Sequence, residues 1–421
     1  MSNKYIVEGG VPLKGDVQIS GSKNAALGII AAAMLLDDYC VIENLPKIED
    51  IRILLEICED LGAKIEWLSD NTISFDPKGV HSHTATSHKV SKIRGSYYLL
   101  GAFLARFNKV SLLLPGGCDF GSRPIDLHIK GFQALGCGDL QEDSNGVISL
   151  ETDHLKGAGV FLDMVSVGAT INIMLAATKA EGVTVINNAA KEPHIVDVAN
   201  FLNTMGANIR GAGTDVIKIT GKPYLAAKRP YTIIPDQIEA GTFMIMAAMT
   251  NGDITCHNLI PKHMEPLTAK LIEMGALVEE GDDYIRVALF EGEQLESVSF
   301  KTMPYPGFPT DLQPQATTLL LNANGTGRMI ESVWENRFQY ISELQLMGAN
   351  IVTSGKLAVV QNSKLHGATV FARDLRAGAA LVTAGLAAQG KTTVTNIYAI
   401  ERGYENFVEK LQGVGARITA E

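Results

Sequence analysis

Two hydrophobic patterns alternate along the chain, six times each. The first is small and apolar on nearly every side: AALGIIAAAMLL from Ala25, GSYYLLGAFLARF from Gly95, GATINIMLAATKA from Gly168, AGTFMIMAAM from Ala240, QPQATTLLLNA from Gln313 and AGAALVTAGLAAQ from Ala377. A helix that is apolar all round is a buried one, so these runs predict six inner helices. The second pattern has one apolar face. Ile195, Val198, Leu202 and Met205 share a helical face, as do Leu267, Leu271 and Met274, which predicts amphipathic outer helices. Each outer helix ends on a recurring phrase: LGAKI, LGCGDL, MGANI, MGALV, MGANI and VGARI. Its glycine sits where a left-handed C-terminal cap belongs. Strand-like runs such as CVIENL, VTVINNA and TTVTNIY follow the inner helices.

The phrase glycines are Gly62, Gly136, Gly206, Gly275, Gly348 and Gly415, spaced 74, 70, 69, 73 and 67 residues apart. Such a period marks an internal repeat. Units of about 70 residues are small for separate domains, so grouping by threes gives two domains. A single solenoid is the alternative; the long spacing and the lack of terminal caps argue against it. The segments YIVEGG and GDVQIS precede the first inner helix with no outer helix of their own. The simplest closure places residues 1–22 with 231–421 in one domain and leaves 23–230 as the other.

Composition narrows the function. The net charge is −10, which disfavours general binding to nucleic acid or anionic membranes. The five cysteines are scattered, odd in number and without CxxC spacing. Neither a disulfide framework nor a metal site is expected, and a reducing cytoplasm fits. The opening residues have no secretory apolar run, and the apolar stretch from Ala25 to Leu36 is too short to cross a bilayer. No membrane insertion is expected, and no obligate protein partner is inferred.

The residues just before the inner helices are polar: Lys23 and Asn24, Lys92 to Arg94, Ser166 and Val167, Asp236 to Glu239, Asp311, and Asp374 to Arg376. Helix N-termini attract anions. Capping explains the carboxylates and Ser166 equally well, but it explains the lysines and arginines poorly. The segment LPGGCDFGSRPIDLH, Leu114 to His128, is glycine-rich and polar around Cys118. Buried apolar cysteines are the rule, and they are expected for Cys40, Cys58, Cys137 and Cys256. Cys118 instead has Asp119 and Arg123 nearby in sequence, a setting for a reactive thiol. The prolines around Asp311 suit a fixed carboxylate acting as a base. Arg337, Arg376 and Arg402 in glycine-flanked loops suggest an anion site. Walker A, GxGxxG, GxSxG and HExxH motifs are missing.

These motifs, in order, resemble the UDP-N-acetylglucosamine 1-carboxyvinyltransferase family of enolpyruvyl transferases. The match runs over nearly the whole chain and includes ISGSKNAAL at Ile19, PGGCDFGSRPIDLH at Pro115, SVGAT at Ser166, NAAKEPHIVD at Asn188, GTD at Gly213, PDQIEAGTF at Pro235, FPTDLQPQ at Phe308, ENRF at Glu335, DLRAGAALV at Asp374 and IERGYE at Ile400. The resemblance implies a two-domain inside-out α/β barrel of six units, three per domain. It implies transfer of the enolpyruvyl group of phosphoenolpyruvate to the 3′-hydroxyl of UDP-N-acetylglucosamine, with release of phosphate and without metal or organic cofactor. Lys23, Asn24, Arg123, Arg376 and Arg402 would hold phosphoenolpyruvate. Arg94, the run Arg123, Pro124, Ile125, Asp126 and Leu127, then Ser166, Val167, Asp311 and the backbone at Val333 would hold the UDP-sugar. Cys118 would donate the proton, form a covalent adduct with phosphoenolpyruvate, and be the position that fosfomycin alkylates. Asp311 would take the hydroxyl proton.

Two positions depart from the family pattern. Met164 stands where some members have lysine, and Gln237 stands where arginine is common. The nearest rival is the 3-phosphoshikimate 1-carboxyvinyltransferase reaction, disfavoured by the cysteine loop and the SKNAAL phrase. An RNA-binding or RNA-end-modifying protein built from related repeats is disfavoured by the net charge.

Overall fold

Lys23–Ala33, Tyr98–Phe107, Val167–Ala177, Gln237–Met249, Gln313–Leu320 and Leu375–Ala387 are the inner helices. They appear in a computed structural model that describes residues 3–114, 125–290 and 292–421. In Gln237–Met249 every residue from Ile238 to Met249 is buried, and in Val167–Ala177 every residue from Ala169 onward is buried. Small side chains let these helices approach closely. A Cβ on Gly101 would lie 2.2 Å from the Asn172 carbonyl oxygen, and Asn172 Oδ1 accepts the Gly101 N–H at 2.9 Å.

The outer helices run over Glu49–Asp60, Asp126–Ala134, Pro193–Thr204, Pro261–Glu273, Ile341–Leu346 and Phe407–Gly413. All six phrase glycines have positive φ, between 89° and 106°. Each end closes with the same pair of hydrogen bonds. At the first, Gly62 N–H meets the Glu59 carbonyl at 2.9 Å and Ala63 N–H meets that of Cys58 at 3.0 Å. This is the Schellman cap, whose left-handed residue is nearly always glycine because a Cβ there is strained.

Among the described residues the strands form six four-stranded sheets. Cys40–Glu43 lies between Tyr231–Thr232, parallel to it, and Thr72–Asp76, antiparallel, with Lys64–Ser69 outside. The pattern repeats in the other five. In the fourth sheet the parallel neighbour is Lys14–Gln18, which pairs with Asp253–His257. In the sixth, Lys4–Glu8 sits between Lys391–Thr395 and Arg417–Ala420, with Val7 opposite Thr392 and Ile418. Distant strands thus close each set of three units on itself, which an open solenoid does not do.

The chain divides into two compact units. Among the described residues, one holds 3–20 with 235–421, the other 21–114 with 125–234. Each has its own apolar core. No helix among the described residues is long and apolar enough to cross a membrane.

Candidate active site

The polar residues before the inner helices take two kinds of role. Ser166 Oγ accepts from Ala169 N–H at 3.3 Å. Asp236 caps Ile238 and Glu239 at 2.8 and 3.0 Å, and Asp374 caps Arg376 and Ala377 at 2.9 and 3.1 Å. These three are caps in the ordinary sense. Lys23 and Asp311 are not.

In the unit holding residues 21–234, Lys23 Nζ lies 2.8 Å from Asp50 Oδ2, with side chains only 12% and 5% exposed. Asp50 comes from the outer helix Glu49–Asp60, so that helix fixes the direction of the lysine. Asn24, beside it, is half-buried. Arg94 opens a 3₁₀ turn, Arg94–Tyr97, and its guanidinium stands 5.1 Å over the Tyr97 ring. Tyr97 in turn lies 6.4 Å from the ring of His128. Burial pushes the His128 imidazole down to about 4, and the Arg94 charge adds to this. A Cβ at residue 168 would come within 2.7 Å of His128 Nε2. Gly168 therefore lets the helix that begins Asp126-Leu127 pack onto the inner-helix start at Ser166 and Val167. The structure thus gathers Arg94, His128, Ser166 and Val167. Ile125 leads into the same helix. Cys118, Arg123 and Pro124 lie outside the described residues.

In the other unit, Asp311 lies in the 3₁₀ turn Thr310–Leu312 that leads into Gln313–Leu320. Arg376 donates to its Oδ2 from Nη2 at 2.9 Å and from Nε at 3.3 Å. Arg337 Nη2 stands 3.7 Å from Oδ1. Both arginines, which could have been surface charges, are buried, at 4% and 3% exposure. Burial works against the Arg376 charge, but Asp311, Tyr404 and Asp236 outweigh it and raise the guanidinium above its ordinary value.

Buried Glu331 organises the loops on either side. Its Oε2 accepts from Thr310 Oγ1 at 2.9 Å, while Oε1 accepts from Thr302 Oγ1 and from the N–H groups of Val333 and Trp334 at 2.8, 2.7 and 3.0 Å. The Val333 N–H is committed, so a ligand contact at this backbone would use the carbonyl. Arg402 caps the short helix Tyr398–Glu401. Two residues on, the Tyr404 ring lies 5.7 Å from the Arg376 guanidinium. Met164 is 66% exposed, and Gln237 begins its inner helix half-buried.

Sequence reasoning missed Asp50, Glu331 and Asp197, and it gave no partner for Glu239. Glu239 is held by Lys410 Nζ and Ser20 N–H at 2.6 and 2.7 Å. Asp197 accepts from Tyr231 Oη at 2.6 Å and Ile234 N–H at 3.2 Å, and burial pushes its carboxyl up to about 6. The four described cysteines are buried free thiols; burial raises Cys40 to about 12 and Cys137 to about 11. A cavity of about 330 Å³ opens at the other ends of three inner helices, beside Met249, Asn322 and Ala387, and contains none of the proposed site residues.

The mixed α/β fold of six such units is that of the enolpyruvyl transferases, as two solved structures and a family model show. The family described as EPSP synthase (3-phosphoshikimate 1-carboxyvinyltransferase) matches residues 7–411. The enolpyruvyl transferase NikO from Streptomyces tendae superposes with a TM-score of 0.90 at 26% identity, over 99% of this chain and 98% of that one. EPSP synthase from Acinetobacter baumannii shares the fold, with a TM-score of 0.76 at 19% identity over 100% of both chains. This is the two-domain inside-out α/β barrel. UDP-N-acetylglucosamine 1-carboxyvinyltransferase 3 of Caldanaerobacter subterraneus is 53% identical over 416 residues, 99% of this chain and 98% of that protein. The corresponding enzyme of Halothermothrix orenii is 51% identical over 99% of both. The chain belongs to the UDP-N-acetylglucosamine 1-carboxyvinyltransferase family.

Proposed function

We propose that the chain transfers the enolpyruvyl group of phosphoenolpyruvate to the 3′-hydroxyl of UDP-N-acetylglucosamine, releasing phosphate, as the first committed step of peptidoglycan precursor synthesis in the cytoplasm. The observation that carries this reading is the 53% identity, over nearly the full length of both proteins, to a relative of that name. The rival acceptor, shikimate 3-phosphate, shares the family match but has support only at 19% identity.

In this reading Lys23, Asn24, Arg123, Arg376 and Arg402 hold the donor. Arg94, the residues Arg123 to Leu127, Ser166, Val167, Asp311 and Val333 hold the UDP-sugar. Several fixed cations suit a donor that carries both phosphate and carboxylate. The Cys118 thiol gives its proton to C3 of phosphoenolpyruvate. Positive charge develops at C2, the sugar oxygen bonds there, and Asp311 takes the hydroxyl proton. In the tetrahedral ketal, C3 then returns a proton to the thiolate. The C2–O bond to phosphate breaks, and phosphate leaves with the proton held by Asp311.

A coupled phosphate-release assay tests the reading. Release should require phosphoenolpyruvate together with UDP-N-acetylglucosamine, and shikimate 3-phosphate should not substitute. Release with shikimate 3-phosphate alone as acceptor would overturn it. Asp311→Asn should slow turnover by about 10²–10⁴-fold.

A further inference from the structure

Asp311 is proposed as a base, yet its carboxylate is engaged by two guanidinium groups. Arg376 grips Oδ2 through two nitrogens, at 2.9 and 3.3 Å, and Arg337 approaches Oδ1 at 3.7 Å. Paired cations stabilise the ionised carboxylate and weaken it as a proton acceptor. Both arginine side chains are buried, at 5% and 2% exposure, whereas that of Asp311 is 30% exposed. The Asp311 side chain is therefore partly exposed while its cations are not.

A second observation concerns Arg376 itself. Its Nη1 is buried and has no hydrogen-bond partner among the described residues. A buried charged donor without an acceptor is costly. The groups facing this guanidinium are Asp311, Tyr404 and Asp236, with Asp374 committed to capping its helix. None of these meets Nη1 in hydrogen-bond geometry, although the Tyr404 hydroxyl is close enough to interact with the guanidinium.

We propose that Arg376 is a positioning residue for which Asp311 and the anionic donor compete, so that the donor's arrival at Nη1 draws the guanidinium charge away and releases the Asp311 carboxylate to take the hydroxyl proton. This rests on the reading of Asp311 as the base. Proton removal from the acceptor is thereby tied to occupancy of the donor site. An acceptor hydroxyl beside Asp311 stays protonated until the enolpyruvyl group that will receive it is in place. The coupling is reciprocal, as any linkage between two ligands of one group must be.

A double-mutant cycle on inorganic phosphate binding, followed by calorimetry, tests this without turnover. Asp311→Asn removes the competitor, so phosphate should bind about 5-fold or more tightly than to the wild type. Arg376→Gln should weaken phosphate binding. In the double variant the gain from Asp311→Asn should disappear. Unchanged or weaker binding in Asp311→Asn overturns the proposal. So does a gain that survives intact in the Arg376→Gln background, because that would be plain charge repulsion not routed through Arg376. Arg376→Lys, which keeps the charge and is the milder change in this buried site, should restore part of the coupling. Failure of the phosphate-release assay would sink the catalytic reading instead, whatever the cycle shows.

Discussion

Lys23 and Asp50 form an ion pair at 2.8 Å in which both side chains are largely withdrawn from solvent. Removing one partner from such a pair strands a charge, at a cost of about 3–5 kcal/mol. Asp50→Ala should therefore lower stability by that order in urea denaturation. It should also raise the KM for phosphoenolpyruvate more than it lowers kcat, because the lysine loses its direction. A destabilised variant with an unchanged KM would restrict Asp50 to a structural role.

Cys118 is the proposed acid, on sequence grounds alone. Cys118→Ala should slow phosphate release by about 10²–10⁴-fold, the usual contribution of a general acid, while circular dichroism shows the fold intact. Cys118→Asp should keep part of the activity and no longer be inactivated by fosfomycin. Fosfomycin sensitivity equal to that of the wild type would contradict the assignment.

Gly101 and Asn172 lie where two inner helices meet at close range. Gly101→Ala would place a methyl 2.2 Å from the Asn172 carbonyl oxygen. Backbone cannot yield there as a side-chain end could. A loss of about 1–3 kcal/mol is expected from overpacking, read as a lower urea midpoint. A variant as stable as the wild type would show that the helices can separate freely.

Asp197 and His128 give opposite pH signatures. The Asp197 carboxyl is raised to about 6 in the fold, so the folded state keeps a proton that the unfolded chain has already lost. Its contribution is present below about pH 4 and is lost as pH climbs toward 6, on the order of 2–3 kcal/mol. His128 is lowered to about 4, so its contribution is present above about pH 6.5 and is lost as pH falls. Stability of Asp197→Asn relative to wild type should therefore improve between pH 4 and 6. Parallel stability curves for the two proteins would refute the buried acid.

The repeat was legible because each unit solves the same local problems with the same residues. Glycine at an αL cap and an all-apolar helix leave plain signals. The ion pairs were not legible, because Asp50 and Arg376 meet partners far away in sequence. One signal could have helped. Asn44, Asn188, Asn258 and Asn396 follow corresponding strands, all with φ near +57°. Each donates from Nδ2 to a carbonyl of the segment beside it: Ile233, Leu162, Ile19 and Ala372. In the second and fifth units that asparagine is replaced, and the connections to the outer helix span residues 114–125 and 331–340; that of the sixth, 396–406, is as long but keeps its asparagine. The first two connections carry Cys118 and the Glu331–Arg337 segment. A comparison of the six units position by position therefore singles out two segments that carry proposed site residues, Cys118 and Val333.

The pairing of Lys4–Glu8 with Lys391–Thr395 and Arg417–Ala420 also sets an order of assembly. Lys4–Glu8 fills an interior place in a sheet whose other members come from residues 369–420, far later in synthesis. Residues 21–234 can complete their own ring while synthesis continues. Lys14–Gln18 must wait for Asp253–His257, and Lys4–Glu8, with unpaired backbone, for nearly the whole chain. Domains generally fold in the order they emerge; here Lys4–Glu8 is among the last pieces to find its place, and loss of Arg417–Ala420 would leave one of its two edges unpaired.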